Sequence, residues 1–68
     1  MNKNMLRSVM VLHNDTNSIL AEYLGIADST LSLKINETNG AEFTQGEIRK
    51  IILRYQLTAE QVMQIFFA

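Results

Sequence analysis

The segment Ala21–Asn36, AEYLGIADSTLSLKIN, decides the fold of this chain. An alanine is followed four residues later by a glycine, then by an apolar residue and a run of small hydroxyl residues. Where two helices cross closely, the residue at the crossing must be small, which Ala21 satisfies. A tight turn after the first helix needs a positive φ, which Gly25 adopts without steric cost. The apolar residues that would bury the corner are Leu20, Leu24, Ile26 and Leu31.

The flanking sequence has helical spacing of apolar residues and little strand-like alternation. Two capping boxes, TQGE at 44–47 and TAEQ at 58–61, predict the starts of two further helices. Asn39-Gly40 marks a turn in a loop over residues 36–43. We therefore predict an all-α domain of five short helices: residues 3–13, a second helix capped by Thr16 and ended by Gly25, a third over 28–35, and helices that begin after Thr44 and Thr58.

Composition narrows the classes of protein that the chain can form. With 68 residues, of which 47% are hydrophobic, we expect one small folded domain that covers residues 1–68. There is no cysteine, and the lone His13 has no clustered ligand beside it, so we expect no metal and no cofactor. No nucleophile–base pair or phosphate loop can be assembled, so we expect neither an enzyme nor a small-molecule substrate. No apolar run is long enough to cross a membrane, and we expect a cytoplasmic protein.

Net charge is the main objection to a nucleic-acid partner. The chain has six basic and seven acidic residues, which gives a formal net charge of −1. Non-specific affinity for nucleic acid comes from neutralising phosphates, and this chain has no excess of positive charge with which to do so. The placement of the basic residues matters more than their sum. Three of them, Arg49, Lys50 and Arg54, fall on the predicted fourth helix, either as a basic cluster or as a solvated face.

Residues Thr16–Asn36, TNSILAEYLGIADSTLSLKIN, resemble the helix-turn-helix of Cro and phage repressors, the XRE family of lambda-repressor-like domains. Residues Phe43–Phe67, FTQGEIRKIILRYQLTAEQVMQIFF, resemble the fourth and fifth helices of small phage members. The resemblance implies a five-helix fold whose helices 2 and 3 form the helix-turn-helix. It also implies sequence-specific binding of double-stranded DNA in the major groove, by a prokaryotic or phage transcriptional regulator that represses by occluding an operator.

The resemblance carries over to individual positions of this sequence. The start of the second helix falls where the family contacts a phosphate, and a helix N-terminus does offer free N–H groups to an anion. The third helix falls where the family contacts base edges, and its end lies where a backbone phosphate would pass. The implied phosphate contacts are Thr16, Asn17, Ser18, Lys34 and Asn36, and the implied base contacts are Asp28, Ser29, Thr30, Ser32 and Leu33.

Several of these positions have a second interpretation. Asp28 could accept a hydrogen bond from a cytosine amino group, or it could be the N-cap of the third helix, since Ala27 is a poor cap. Ser29, Thr30 and Ser32 could be ordinary surface hydroxyls. Leu33 could contact a thymine methyl group or pack on the following loop.

Assembly is predicted from the last helix. At 100° per residue, Met63 and Phe67 lie at the edge of the face that would be buried, so they would form an exposed apolar patch. We therefore predict a homodimer through Met63 and Phe67, and the alternative is that Phe67 folds over the first helix. A rival function comes from a different class of protein: a protein-interaction module, antirepressor-like or antitoxin-like, that keeps the helix-turn-helix but binds DNA weakly or not at all.

Overall fold

The computed structural model describes all residues from Met1 to Ala68, and all of its regular secondary structure is helical. There are five α-helices and one short 3-10 turn, with no strand. In chain order they are α1 (Lys3–Leu12), α2 (Asn17–Leu24), α3 (Asp28–Asn36), the 3-10 turn (Thr38–Gly40), α4 (Gln45–Tyr55) and α5 (Ala59–Phe66). The predicted all-α fold of five short helices is confirmed.

Side-chain caps begin four of the five helices. The threonine hydroxyls at the starts of α2, α4 and α5 each accept a hydrogen bond from a backbone N–H three residues on. Both predicted capping boxes are complete, because the side-chain oxygens of Glu47 and Gln61 each accept a hydrogen bond from the backbone N–H of the N-cap threonine. At α1 the cap is Asn2, whose side chain accepts from Met5 N–H. Gly25 ends α2 with φ 75°, as predicted.

One hydrophobic core joins all five helices. Its largest fully buried side chains include Leu6 of α1, Leu20 of α2, Leu31 of α3, Ile51 of α4 and Ile65 of α5. The start of α1 is tied to α5 by a hydrogen bond of 2.7 Å from Asn2 N–H to the Ile65 carbonyl oxygen. Each helix is therefore held in place by the same core, which fixes the orientation of α2 and α3 relative to the rest of the fold.

The corner between α2 and α3 has a helix-turn-helix arrangement. Ala21 is fully buried, and the buried Leu20, Leu24 and Leu31 surround the corner. The N–H of Ile26 donates to the Ala21 carbonyl oxygen at 3.0 Å, which closes the turn after Gly25. The steric pattern of the sequence therefore predicted this part of the structure correctly.

The interpretation of Asp28 as the N-cap of α3 is wrong. The N-cap is Ala27, which makes no side-chain capping bond, and Asp28 is the first helical residue. The reason is that the turn, which starts at Gly25, places Ala27 at the cap. Asp28 instead accepts a hydrogen bond from the Ser18 hydroxyl of α2.

Candidate nucleic-acid interface

The side of α3 that faces away from the core carries most of the predicted base contacts. Leu31 and Ile35 are buried and define the inner side of the helix. Ser29, Leu33 and Asn36 are exposed on the opposite side, while Thr30 and Ser32 are partly buried at its edges. This outer face carries hydroxyl, amide and apolar groups, which are suited to base edges and thymine methyl groups, and no unpaired cation.

The starts of α2 and α3 lie together. The hydrogen bond from Ser18 to the carboxylate of Asp28 joins them across ten positions of sequence. Thr16 caps α2 by accepting from Ile19 N–H at 3.2 Å, and the N–H groups of Asn17 and Ser18 have no hydrogen-bond partner in the chain. Free amides at a helix N-terminus attract an anion. The residues predicted to contact phosphate and those predicted to contact bases are therefore neighbours here.

Lys34 occupies a different environment from the one predicted. Its ammonium group lies 2.6 Å from a carboxylate oxygen of Glu47, and only 16% of its side chain is exposed. Burial acts to raise the pKa of Glu47, but hydrogen bonds from Lys34 and Thr44 outweigh it and hold the pKa below its usual value. Lys34 thus connects α3 to the capping box of α4, and in this arrangement its charge is not free for a phosphate.

The three basic residues of α4, which were predicted to form either a basic cluster or a solvated face, lie in different environments. Arg54 makes a bidentate contact with Asp15, with N–O distances of 2.6 and 2.9 Å, and stacks 4.7 Å above the ring of Tyr23. The Tyr55 hydroxyl donates to the same carboxylate at 2.6 Å. Arg49 and Lys50 are exposed. Only these two of the three basic residues are therefore available to a partner.

The Asp15 carboxylate is the centre of this polar cluster, and just 6% of its side chain is exposed. The hydrogen bond from Arg54 is the main reason that the pKa of Asp15 lies below its usual range, and the Tyr55 hydroxyl adds to the effect despite burial. Burial and the Asp15 carboxylate both raise the pKa of Tyr55. Because Asp15 immediately precedes Thr16, the cluster anchors the loop from which α2 begins.

Lys3 is a candidate contact that sequence reasoning missed. Its ammonium group lies 3.3 Å from the side-chain oxygen of Asn36, at the end of α3. Asn36 also donates to the Ser32 carbonyl oxygen at 3.0 Å, so its amide has a defined orientation. The two residues are 33 positions apart, and no local signal in the sequence connects them. Lys3 brings a positive charge to the place where Lys34 was predicted to act.

The predicted dimer residues lie on an exposed apolar surface. Met63 is 59% exposed and Phe67 is 63% exposed, so α1 does not cover Phe67. Beside them is an open groove between α4 and α5, about 350 Å³ in volume. We call Met63, Phe67 and this groove the α4–α5 surface; the residues lining the groove are Gln45, Ile48, Arg49, Ile52, Val62 and Phe67.

No helix of the structure combines the length and apolar character that crossing a membrane requires. No group of three or more histidine, cysteine, aspartate or glutamate side chains is arranged to hold a metal ion. Comparison of the chain with protein-family models, with curated proteins and with solved structures finds no match.

Proposed function

We propose that this chain is a small sequence-specific double-stranded DNA-binding protein in which α3 enters the major groove. The observation that carries the proposal is the exposed face of α3, held outward by the corner at the buried Ala21 and the turn at Gly25. An α-helix with its side chains is about 10–12 Å across, so a major groove about 12 Å wide admits α3. The biological role would be that of a prokaryotic or phage regulator of the Cro and repressor type, acting in the cytoplasm by operator occlusion.

Phosphate contacts in this proposal come from three places. The free N–H groups of Asn17 and Ser18 face one strand at the start of α2. Lys3, beside Asn36, replaces Lys34 at the end of α3. Two of the six basic side chains are held in ion pairs, and those without one are Lys3, Arg7, Arg49 and Lys50. Few phosphates can therefore be neutralised by each monomer.

The test of the proposed function is selection of bound sequences from a random DNA pool at two salt concentrations. We expect one enriched motif and an affinity that falls as salt is raised, because counterions are released on binding. A pool that stays random at both concentrations would rule out the proposed function.

The protein-interaction module is the second candidate, and two observations favour it. Lys34 and Arg54 are held by carboxylates rather than left free for phosphates. Large apolar side chains are also exposed away from α3, at Val11, Leu12 and Leu53. This candidate predicts no salt-dependent DNA binding, so the same selection experiment separates it from the first.

Ser29 provides a residue-level test of base reading. Ser29→Ala should lower affinity for the selected site about fivefold, since it removes one hydrogen bond worth ~1 kcal/mol. It should leave the affinity for random-sequence DNA and the melting temperature unchanged, because Ser29 is exposed. Titration of both DNAs measures this. The matched control is Ser8→Ala on α1, where the hydroxyl bonds only to its own helix at Asn4. Equal losses on specific and random DNA would contradict a base contact.

We also propose that two copies associate through the α4–α5 surface. A two-fold dimer would present two α3 helices about 34 Å apart, one turn of DNA. Sedimentation equilibrium should show a dimer at tens of micromolar and a monomer for Phe67→Ser, because the substitution removes an exposed apolar anchor. Leu12→Ser is the control, since Leu12 is also a large, exposed apolar side chain but lies on α1. A monomeric wild type, or a dimeric Phe67→Ser, would exclude this interface.

A further inference from the structure

The hydrogen bond between Ser18 and Asp28 is the one side-chain hydrogen bond that joins the starts of α2 and α3. Both residues are exposed, so the pair lies at the surface rather than in the core. Asp28 is the first residue of α3, at the end that carries the positive pole of the helix dipole. Neither residue caps its own helix, because Thr16 and Ala27 occupy the cap positions. The pair is therefore not needed to begin either helix.

The pair leaves one carboxylate oxygen of Asp28 free to accept a hydrogen bond from another molecule. The Ser18 hydroxyl donates to Oδ2 of Asp28, and no group in the chain donates to Oδ1. An ionised carboxylate can only accept hydrogen bonds. In the major groove, the donors are the amino groups of cytosine and adenine, while guanine and thymine present acceptors. The free oxygen of Asp28 therefore suits an amino group and is repelled by guanine or thymine at that position.

The single free oxygen of Asp28 also discriminates between cytosine and adenine. Adenine presents its N7 acceptor directly beside its amino group, and reading both atoms requires a partner with a donor as well as an acceptor. Asp28 has no donor, and its second oxygen is already bound to Ser18. Cytosine presents its amino group without a neighbouring acceptor on the same base. The chemistry of the pair therefore favours cytosine over the other three bases.

We propose that Asp28 determines specificity by reading one cytosine in each half-site, and that Ser18 is the positioning residue that aims its carboxylate. This inference rests on the proposed DNA-binding function. The neighbouring phosphates make a mismatch costly, because a carboxylate without a donor would lie close to other negative charges. Asp28 thus lowers affinity for most sequences and retains it for those with cytosine at the contacted position.

The test repeats the random-pool selection with wild type and two variants. Wild type should show a position in each half-site at which cytosine is preferred about tenfold. Asp28→Asn should change that one position from cytosine to adenine, because an amide both accepts from N6 and donates to N7. Ser18→Ala should keep cytosine there with a weaker preference, since the carboxylate then loses its fixed orientation. Thermal melting of each variant reports whether the fold is intact.

Glu22→Gln is the matched control, because it removes the charge of another exposed acidic residue, on α2. It should change affinity for all sequences alike and leave the motif unaltered. If Asp28→Asn behaves as Glu22→Gln does, Asp28 only repels phosphates, and the inference is overturned while the proposed function stands. If wild type enriches no motif at all, the proposed function fails and this inference fails with it.

Discussion

Asp15→Ala is expected to lower the free energy of unfolding by about 2–3 kcal/mol, the largest loss among the polar substitutions in this chain. The carboxylate accepts two hydrogen bonds from Arg54 and one from Tyr55, and its side chain is almost fully buried. Its removal leaves a guanidinium and a hydroxyl without their partner. For a domain of this size the melting temperature should fall by about 10–20 °C, measured by circular dichroism.

The control for Asp15 is Glu37→Ala. Glu37 also pairs with a positive group, the amino terminus at 3.2 Å, but its side chain is about half exposed. Exposed pairs contribute little, so this variant should melt close to wild type. If Asp15→Ala and Glu37→Ala shifted the melting temperature equally, the Asp15 cluster would not contribute more than an ordinary surface pair.

The dependence of stability on pH gives a second test of the Asp15 cluster, with the variant Asp15→Asn. The pKa values of Asp15 and Glu47 are lower in the folded chain than in the unfolded one. The unfolded state therefore binds more protons in acid, so the stabilisation is present above the unfolded carboxyl pKa values. It is lost as pH falls through the folded values. Denaturation of Asp15→Asn should show a shallower loss of stability in this acidic range, with the part due to Glu47 retained.

The features predicted correctly from the sequence are local ones. The capping boxes at Thr44 and Thr58 depend on groups three residues apart, and Gly25 ends α2 through its own backbone conformation. Interactions of this range can be predicted directly from the sequence, since one turn of helix brings the interacting groups together. The buried Ala21 belongs with them, because its requirement is steric and the spacing to Gly25 fixes the corner.

The features that could not be predicted depend on how the helices cross. Arg54 meets Asp15 across 39 positions and Lys34 meets Glu47 across 13, and no periodicity indicates either partner. From the sequence alone, Lys34 was therefore expected to be a free cation, and Arg54 was expected to belong either to a basic cluster or to a solvated face. The interpretation of Asp28 as an N-cap was wrong for a related reason. Its preference for an N-cap is a local tendency, while the turn and the nearby Ser18 are tertiary features.

These internal pairs change how the net charge should be interpreted. Lys34 and Arg54 each neutralise a carboxylate inside the fold, so neither contributes to the field around α3. The candidate interface therefore depends on hydroxyl and amide groups and on a few exposed cations such as Lys3. Contacts of that kind give selectivity between sequences more than strong attraction to any DNA.

Ala21→Leu is expected to destabilise the fold by about 1–3 kcal/mol, because added methylene groups would overpack a fully buried crossing. The extra volume must be accommodated between α2 and α3, where Ile26 N–H bonds to the Ala21 carbonyl oxygen. Any shift there rotates α3 relative to the free amides of Asn17 and Ser18. Affinity for a selected DNA site should therefore fall more than the loss of stability alone would explain, even at temperatures where the variant is fully folded.

Ala59→Leu provides the matched control, because Ala59 is an exposed helical residue at the start of α5. The same substitution there should leave melting and DNA binding close to wild type. Chemical denaturation and DNA titration of both variants give the comparison. An Ala21→Leu variant that melts with wild type would mean that α2 and α3 do not pack closely at Ala21. A variant that is destabilised but binds the selected site with wild-type affinity would mean that the corner supports the fold without setting the orientation of α3.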